Sequence, residues 1–365
     1  GKPCDVILID FSRAFDKVNH LKLCVKLKRL GIDGCYLKWI VDYLSNRKQC
    51  VIYGGALSSM SDVTSGVVQG SCLGPVAFSI FINDLCAVLN YAEPALFADD
   101  FKFVGDVSCQ LGRTSMQADI DAVATWSDTN QLPINLDKCT VLHYGRNNVK
   151  QEYSLGAAVI TSTSCNMDLG VLRSDSFSYD EHVRSVALKT SRMAGMTLKL
   201  FNTRDAEFLR RLYVAYIRPM LEYASPVWSP LTVSTSILLE RVQRRYTKRV
   251  RGTTNLHYDQ RLQLLHLETL AQRRTVSDMV PTYKSLRGLT PVLPATLGLQ
   301  VSSAPTRSCG LKLETLRPSN KLLSNCFQCR APKQWNSLPK NVLRCRTVNV
   351  FKASTIEHLS SIANK

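Results

Sequence analysis

No stretch of this 365-residue chain reaches about 18 uninterrupted apolar residues, the length needed to cross a bilayer as a helix. The longest candidate, residues 75–89, is broken by Asn83 and Asp84, so a spanning segment is not expected. The N-terminus has no basic, apolar and small-residue succession of the signal-peptide kind, and no internal repeat is evident. Cysteine is present without order. Its 13 residues are odd in number and scattered without a regular framework, which favours a reducing intracellular compartment. Cys326-x-x-Cys329 comes nearest to a zinc motif, but Cys309 and Cys345 fit no compact knuckle and none of the six histidines stands at a matching distance. Free or buried thiols are expected there. Acid is scarce in the second part of the chain. Residues 1–150 hold 15 Lys+Arg against 15 Asp+Glu, whereas residues 151–365 hold 31 against 14, and the formal net charge is +17. Such asymmetry is the footprint of a polyanion partner bound in a salt-sensitive way, a nucleic acid first and an anionic membrane surface as the alternative.

Two acidic signatures stand out against this background. Asp10 ends the strand-like run in DVILIDFSRAFD, and Asp99 with Asp100 falls in ALFADDFKFVGD, 89 residues after Asp10. Leu96, Phe101 and Phe103 are strand formers around an acidic turn, so the second segment reads as a β-hairpin with its carboxylates at the tip. Pairing the run 5–10 beside it would bring Asp10 next to Asp99. Clustered carboxylates need cations, and hard oxygen ligands favour Mg²⁺, with Mn²⁺ as a substitute, over zinc. Two such ions roughly 3.5 to 4 Å apart clamp the attacking and leaving oxygens of a phosphoryl transfer. Between the signatures lies SGVVQGSCLGPVAFSIFINDL, in which Gly66, Gly70 and Gly74 surround Gln69 and a helix is expected to open at Pro75.

Together these segments resemble the reverse transcriptases of non-LTR (LINE-type) retrotransposons, of the Jockey and chicken-repeat-like groups. LIDFSRAFDKVNH is similar to motif A, SGVVQGSCLGPVAFSIFINDL to motif B and FADD to motif C. Downstream, LPINLDKCTVLHYG resembles motif D and MDLGVLRSDSFSYDEHV the motif E region, while RAPKQWNSLPKNVL and NVFKASTIEHL resemble the C-terminal end of these polyproteins. The resemblance implies an RNA-directed DNA polymerase. Asp10 and Asp99 would be its principal metal ligands, Asp100 the third acid, and Phe11 the donor of a backbone carbonyl. Asp16 would not be catalytic. Phe15 would exclude a ribose 2′-OH, Arg13 and Ala14 would meet the triphosphate through their N–H groups, and Gln69 and Gly70 would pack near the incoming nucleotide. Lys138 would act near the leaving pyrophosphate as a general acid, its other reading being a solvated loop lysine. The implied cofactor is a pair of Mg²⁺ ions. The implied partners are an RNA template, a DNA primer, dNTPs and genomic target DNA, with no membrane, in a ribonucleoprotein of nucleus and cytoplasm.

Two positions depart from the family pattern: Val68 where proline usually precedes Gln69, and Cys72 where an aliphatic residue is usual. The chain opens only nine residues before Asp10, so the fingers are expected to be missing and the chain to be the C-terminal portion of a longer polyprotein. The expected fold is α+β: a right-hand polymerase palm, an antiparallel sheet with packed helices, then a helical thumb and a basic, mostly helical extension. Its parts are the palm at 1–150, a motif E-like segment and basic thumb at 151–287, a Pro/Ser/Thr/Gly-rich linker at 288–310 and the extension at 311–365. Helices are expected at 19–30, 34–45, 119–130, 180–201 and 207–217. Arg241, Arg244, Arg245, Lys248, Arg249 and Arg251 fall on one side of a helical projection, opposite Val242, Tyr246 and Val250, and read as a contact to template or primer backbone. Two rival readings remain: a nucleic-acid-binding remnant without catalysis, and a maturase-like splicing cofactor sharing the fold.

Overall fold

The computed structural model describes residues 2–229, 232–302, 312–318 and 321–363. The chain divides into two compact units, residues 1–169 with 174–176, and residues 170–173 with 177–365. The division thus falls some twenty residues after the 150/151 boundary expected from sequence.

The first unit is built on a five-stranded sheet. Its strands are β1 (Cys4–Ile9), β2 (Glu93–Phe97), β3 (Asp100–Asp106), β4 (Thr140–Tyr144) and β5 (Thr161–Thr163), in the spatial order β5-β4-β1-β3-β2. β1 runs antiparallel to both β3 and β4, β2 and β3 form a hairpin, and β5 lies parallel to β4. A further short strand, β6 (Cys165–Asp168), follows. Alternation decides which face is covered. Ile7, Ile9, Phe101 and Phe103 are buried on one face, against α3 (Leu73–Ile82) and α4 (Gln110–Asn130), which supply Phe78, Phe81, Met116, Ile120 and Val123. The opposite face carries Leu8, Asp10, Asp100 and Lys102, all open to solvent in part.

Helices α1 (His20–Arg29) and α2 (Gly34–Leu44) match the expected spans, and Asn19 caps α1 by accepting the Lys22 N–H at 3.0 Å. The motif B helix starts two residues before Pro75, which is accommodated within the first turn, where N–H groups have no helical partner. α4 begins at Gln110 rather than near Asp119. Asp119 sits inside the helix and is buried, accepting the N–H groups of Asn90, Tyr91 and Ala92 at 2.8, 3.1 and 2.7 Å. Gln131, at φ +56°, ends the helix.

A buried polar group holds the outer part of β1. The Asp5 carboxylate accepts from Nδ1 of His143 (2.8 Å), Nδ2 of Asn148 (2.7 Å) and the Tyr153 hydroxyl (2.7 Å). Burial first, and then the Asp5 charge, push the Tyr153 hydroxyl well above the ordinary phenol range.

The second unit is helical, with α5 (Asp180–Leu200), α6 (Ala206–Leu212), α7 (Val233–Thr247), α8 (Leu270–Leu286), α9 (Phe327–Ser337) and α10 (Val348–Ala363) as its main elements. The stretch expected as one helix over 207–217 is α6 followed by a π-helical turn, Tyr213–Ile217, before Pro219. One core gathers Val183, Leu209, Tyr213, Trp228, Leu239, Val242 and Tyr246. A second joins Met279 and Tyr283 of α8 to Leu299, Leu313, Trp335 and Phe351. Arg330 of α9 clamps the buried Asp278 of α8 with two bonds, at 2.7 and 2.9 Å. Residues 327–351 therefore share a core with α8. Of the expected linker, residues 303–310 lie outside the described residues. No helix among the described residues is long and apolar enough to cross a membrane.

Candidate active site and basic helix face

Register brings the two acidic signatures together. Ile9 stands opposite Phe101, so one step further along β1 sets Asp10 across from Asp100. The β2–β3 turn consists of Ala98 and Asp99, with Ala98 left-handed at φ +51°, and Asp100 is the first residue of β3. Asp99 therefore sits in the turn itself and Asp100 at the strand start. A positive φ at the first turn residue belongs to the primed turns that suit a twisted hairpin, and a non-glycine residue there carries strain.

The carboxylates are within electrostatic reach of one another. Asp100 is held above the usual carboxylate range by partial burial first, and then by the charges of Asp99, Asp168 and Asp10, with Lys102 opposing. This repulsion is the kind that a divalent cation relieves, and the donors are hard oxygens throughout. Among the described residues, however, no three Asp, Glu, His or Cys side chains converge closely enough to form a closed ligand set. Asp10 is approached by a cation of the protein: Nζ of Lys138 lies 3.6 Å from its Oδ2, on a side chain 67% exposed and so free to reorient.

The loop that carries Lys138 is tied to the site through backbone. The Ser12 N–H donates to Pro133 O at 2.8 Å and the Asn135 N–H to Asp10 O at 2.7 Å, on either side of Phe11. Phe11 is buried, its ring 6.1 Å from that of Trp126. Arg13 is left-handed (φ 50°, ψ 47°) and exposed, and it opens a short 3₁₀ turn, Ala14–Asp16. Phe15 is half-buried and stacks on Phe78 of α3 with centroids 4.2 Å apart and planes at 19°.

The glycine-rich loop meets that same turn. The Gly66 N–H donates to Val18 O (2.8 Å), the Val67 N–H to Phe15 O (2.9 Å) and the Ser65 hydroxyl to Asp16 O (2.8 Å). Nε2 of Gln69 donates to Oδ1 of Asp16 at 2.7 Å. Asp16, set aside on sequence as non-catalytic, is thus what orients Gln69. Gly70 follows at φ +82° in open space.

The six basic residues expected on one face belong to the second unit. All six are exposed, while Val242, Tyr246 and Val250 are buried, and α7 ends at Thr247 just before Lys248. The guanidinium of Arg244 lies 4.3 Å from the centroid of the Tyr258 ring, which steadies it on the surface.

Sequence reasoning did not anticipate three contacts: Asp16 with Gln69, Asp119 with the N–H groups of residues 90–92, and Lys102 with Asp168. Each joins residues 27 to 66 positions apart, with no local pattern to announce it.

Residues 1–180 match the family described as reverse transcriptase (RNA-dependent DNA polymerase). The chain is 26% identical over 315 residues to a probable RNA-directed DNA polymerase from transposon BS of Drosophila melanogaster, covering 80% of this chain and 34% of that protein. It is also 26% identical over 257 residues to the RNA-directed DNA polymerase from mobile element jockey of the same organism, covering 67% and 28%. The chain thus spans about a third of the length of these curated relatives. Among solved structures, telomerase from Candida albicans in complex with a fragment of telomeric RNA matches with a TM-score of 0.40 and 13% identity, over 75% of this chain and 43% of that one.

Proposed function

Because the chain belongs to the reverse transcriptases of non-LTR retrotransposons, we propose that it carries the polymerising centre of such an element, extending a DNA primer on an RNA template with dNTPs. The observation that carries this reading is the register of β1 with β3, which sets Asp10 beside the hairpin of Asp99 and Asp100. Asp10 and Asp99, with Asp100 and the Phe11 carbonyl, would hold two divalent cations, Mg²⁺ or Mn²⁺. Bound there, such ions lower the pKa of a primer 3′-OH and neutralise charge on the departing pyrophosphate.

The remaining work falls to the chain's own groups, and it is mostly positioning. Arg13 and Ala14, at the start of a 3₁₀ turn, offer N–H groups to phosphate oxygens. Gln69, oriented by Asp16, lies beside the incoming nucleotide with Gly70, whose surroundings are open. Phe15, braced by Phe78, closes the space that a ribose 2′-OH would need. Lys138 leaves Asp10 as substrate arrives and delivers a proton to the pyrophosphate side, which its exposure permits. The exposed basic residues of α7 and its C-terminal continuation hold template or primer backbone, and target DNA enters as the source of the primer. The working environment is intracellular, in a ribonucleoprotein with the template RNA.

The test is Mg²⁺-dependent primer extension on an RNA template, with Asp99→Asn run in parallel after circular dichroism has shown both proteins folded. Extension by the parent protein and its loss in Asp99→Asn are the expected results. Salt-dependent template–primer binding by both without extension by either would make the chain a binding module and overturn the proposal.

A further inference from the structure

One cross-strand row of the first unit's open face is spanned by a strand that belongs to no part of the proposed site. Leu8 of β1 stands opposite Lys102 on one side and opposite Thr140 on the other, so Thr140, Leu8 and Lys102 lie side by side on β4, β1 and β3. β6 is pegged to both ends of this row. Nδ2 of Asn166 donates to Oγ1 of Thr140 at 2.6 Å, and Nζ of Lys102 donates to Oδ1 and Oδ2 of Asp168 at 2.6 and 2.5 Å. Asn166 and Asp168 are two apart, the spacing at which strand side chains share a face. β6 therefore straddles β1.

The next row of the same face, two residues along or roughly 6.8 Å at strand spacing, is Asp10 with Asp100. The brace ends where the acidic site begins. It grips β3 at the residue two after Asp100, three after the turn residue Asp99. The ion pair is sheltered, with side-chain exposures of 24% for Lys102 and 11% for Asp168, so solvent competes with it less than with a surface pair.

We infer that Lys102 and Asp168 are positioning residues: their ion pair, with the Asn166–Thr140 bond at the other end, makes β6 a brace that fixes the β2–β3 hairpin and so places Asp99 and Asp100 against Asp10. The inference rests on the proposed polymerase reading for its catalytic meaning, and on geometry alone for its mechanical meaning. A left-handed non-glycine turn at Ala98 gains from such support, because local strain persists where surrounding contacts over-determine the backbone.

The experiment is hydrogen–deuterium exchange on the full chain, comparing the parent with Asp168→Asn, Lys102→Met, Lys102→Arg and the Asp168→Asn/Lys102→Met double variant. Asp168→Asn and Lys102→Met are expected to speed amide exchange about tenfold in peptides covering residues 97–103 and 165–168, and to leave α4 protected. The double variant should exchange no faster than the faster single variant, since both changes remove one interaction. Lys102→Arg should retain most of the protection. In primer extension the same variants should lower kcat with little change in template–primer Kd. Unchanged exchange in the hairpin, equal acceleration in α4, or additive effects in the double variant would each overturn the brace. Absence of extension by the parent would count against the polymerase reading alone, because the exchange arm decides the brace without any catalysis.

Discussion

Two glycines of the same loop give a controlled test of how the proposed nucleotide side of the site is assembled. Gly66 is left-handed at φ +85°, and a Cβ there would stand 2.7 Å from Asp16 O, 2.8 Å from its Cα and 2.9 Å from its carbonyl carbon. All three are backbone atoms that cannot swing aside. Gly70 is left-handed at φ +82°, yet a Cβ there would meet nothing within 4 Å. Alanine at either position bears left-handed strain of about 1–2 kcal/mol. Only at Gly66 is there the further cost of forcing packed segments apart, typically about 1–3 kcal/mol. Gly66→Ala should therefore destabilise the first unit by about 2–5 kcal/mol and Gly70→Ala by about 1–2. Urea denaturation followed by circular dichroism reads the difference as a shift in midpoint at constant slope. The steric effect has a functional counterpart, since parting the loop from Asp16 breaks the 2.7 Å bond that orients Gln69. The KM for dNTP should rise more in Gly66→Ala than in Gly70→Ala. Equal destabilisation by the two substitutions would refute the claim that close backbone contact at Gly66 joins the two loops.

His182 is buried and accepts the Leu172 N–H on Nδ1 at 3.2 Å, so its proton is on Nε2, and burial first, then Lys189, depress its pKa. A depressed histidine stabilises the fold above its unfolded pKa near 6.5 and loses that contribution as pH falls below it, with a limiting slope of about 1.4 kcal/mol per pH unit. Urea midpoints of the second unit, read through Trp228 against the His182 ring, should fall between pH 7.5 and 5.5, and His182→Gln should flatten that dependence. Phe15→Val removes the ring stacked on Phe78 and should raise ribonucleotide incorporation relative to dNTP by about 10- to 100-fold in single-nucleotide extension. Replacing the exposed Arg245, Lys248 and Arg249 with alanine should reduce the slope of log binding constant against log salt by about 2 to 3, measured by fluorescence anisotropy on template–primer.

The sequence announced those parts of the site that are encoded locally. Val6, Ile7, Leu8 and Ile9 before an acid, and Phe101 with Phe103 after one, specify two strands whose apolar faces must coincide, and the pairing of β1 with β3 follows. The turn was less legible: ALFADDF contains no Asn-Gly or Asp-Gly signal, and the bend falls on Ala98–Asp99, one residue before the Asp-Asp pair. The start of α4 was hidden because Asp119 looks like a first-turn acid, whereas it lies mid-helix as a buried acceptor for residues 90–92. β4 buries four of its five residues and so loses the alternation that marks a half-exposed strand. The contact between α8 and residues 327–351 depends on Arg330 meeting Asp278, 52 residues earlier, and on Trp335 lying in a helix that contains Pro332, neither of which has a period to read. The basic face of α7 was legible because one-sided burial and one-signed charge coincide over two turns.

Charge divides the labour of the molecule in a way that the acidic site itself requires. Asp10, Asp99, Asp100 and Asp168 crowd one edge of a sheet, and the described cations beside them, Lys138 and Lys102, are drawn toward Asp10 and Asp168. A polyanion gains nothing from that edge by long-range attraction. Residues 1–150, with equal numbers of acids and bases, carry no compensating net charge either. On the proposed reading the attraction comes from residues 151–365, where bases outnumber acids 31 to 14 and six of them follow one another along the end of α7 and just beyond it without an intervening acid. Salt screens such exposed charges over a Debye length of about 8 Å at physiological ionic strength, while register and sheltered ion pairs are little affected. The proposed grip on nucleic acid and the geometry of the carboxylates should therefore respond to different variables: the first to ionic strength and to the basic residues of the second unit, the second to the packing of the hairpin, the glycine loop and the inferred β6 brace.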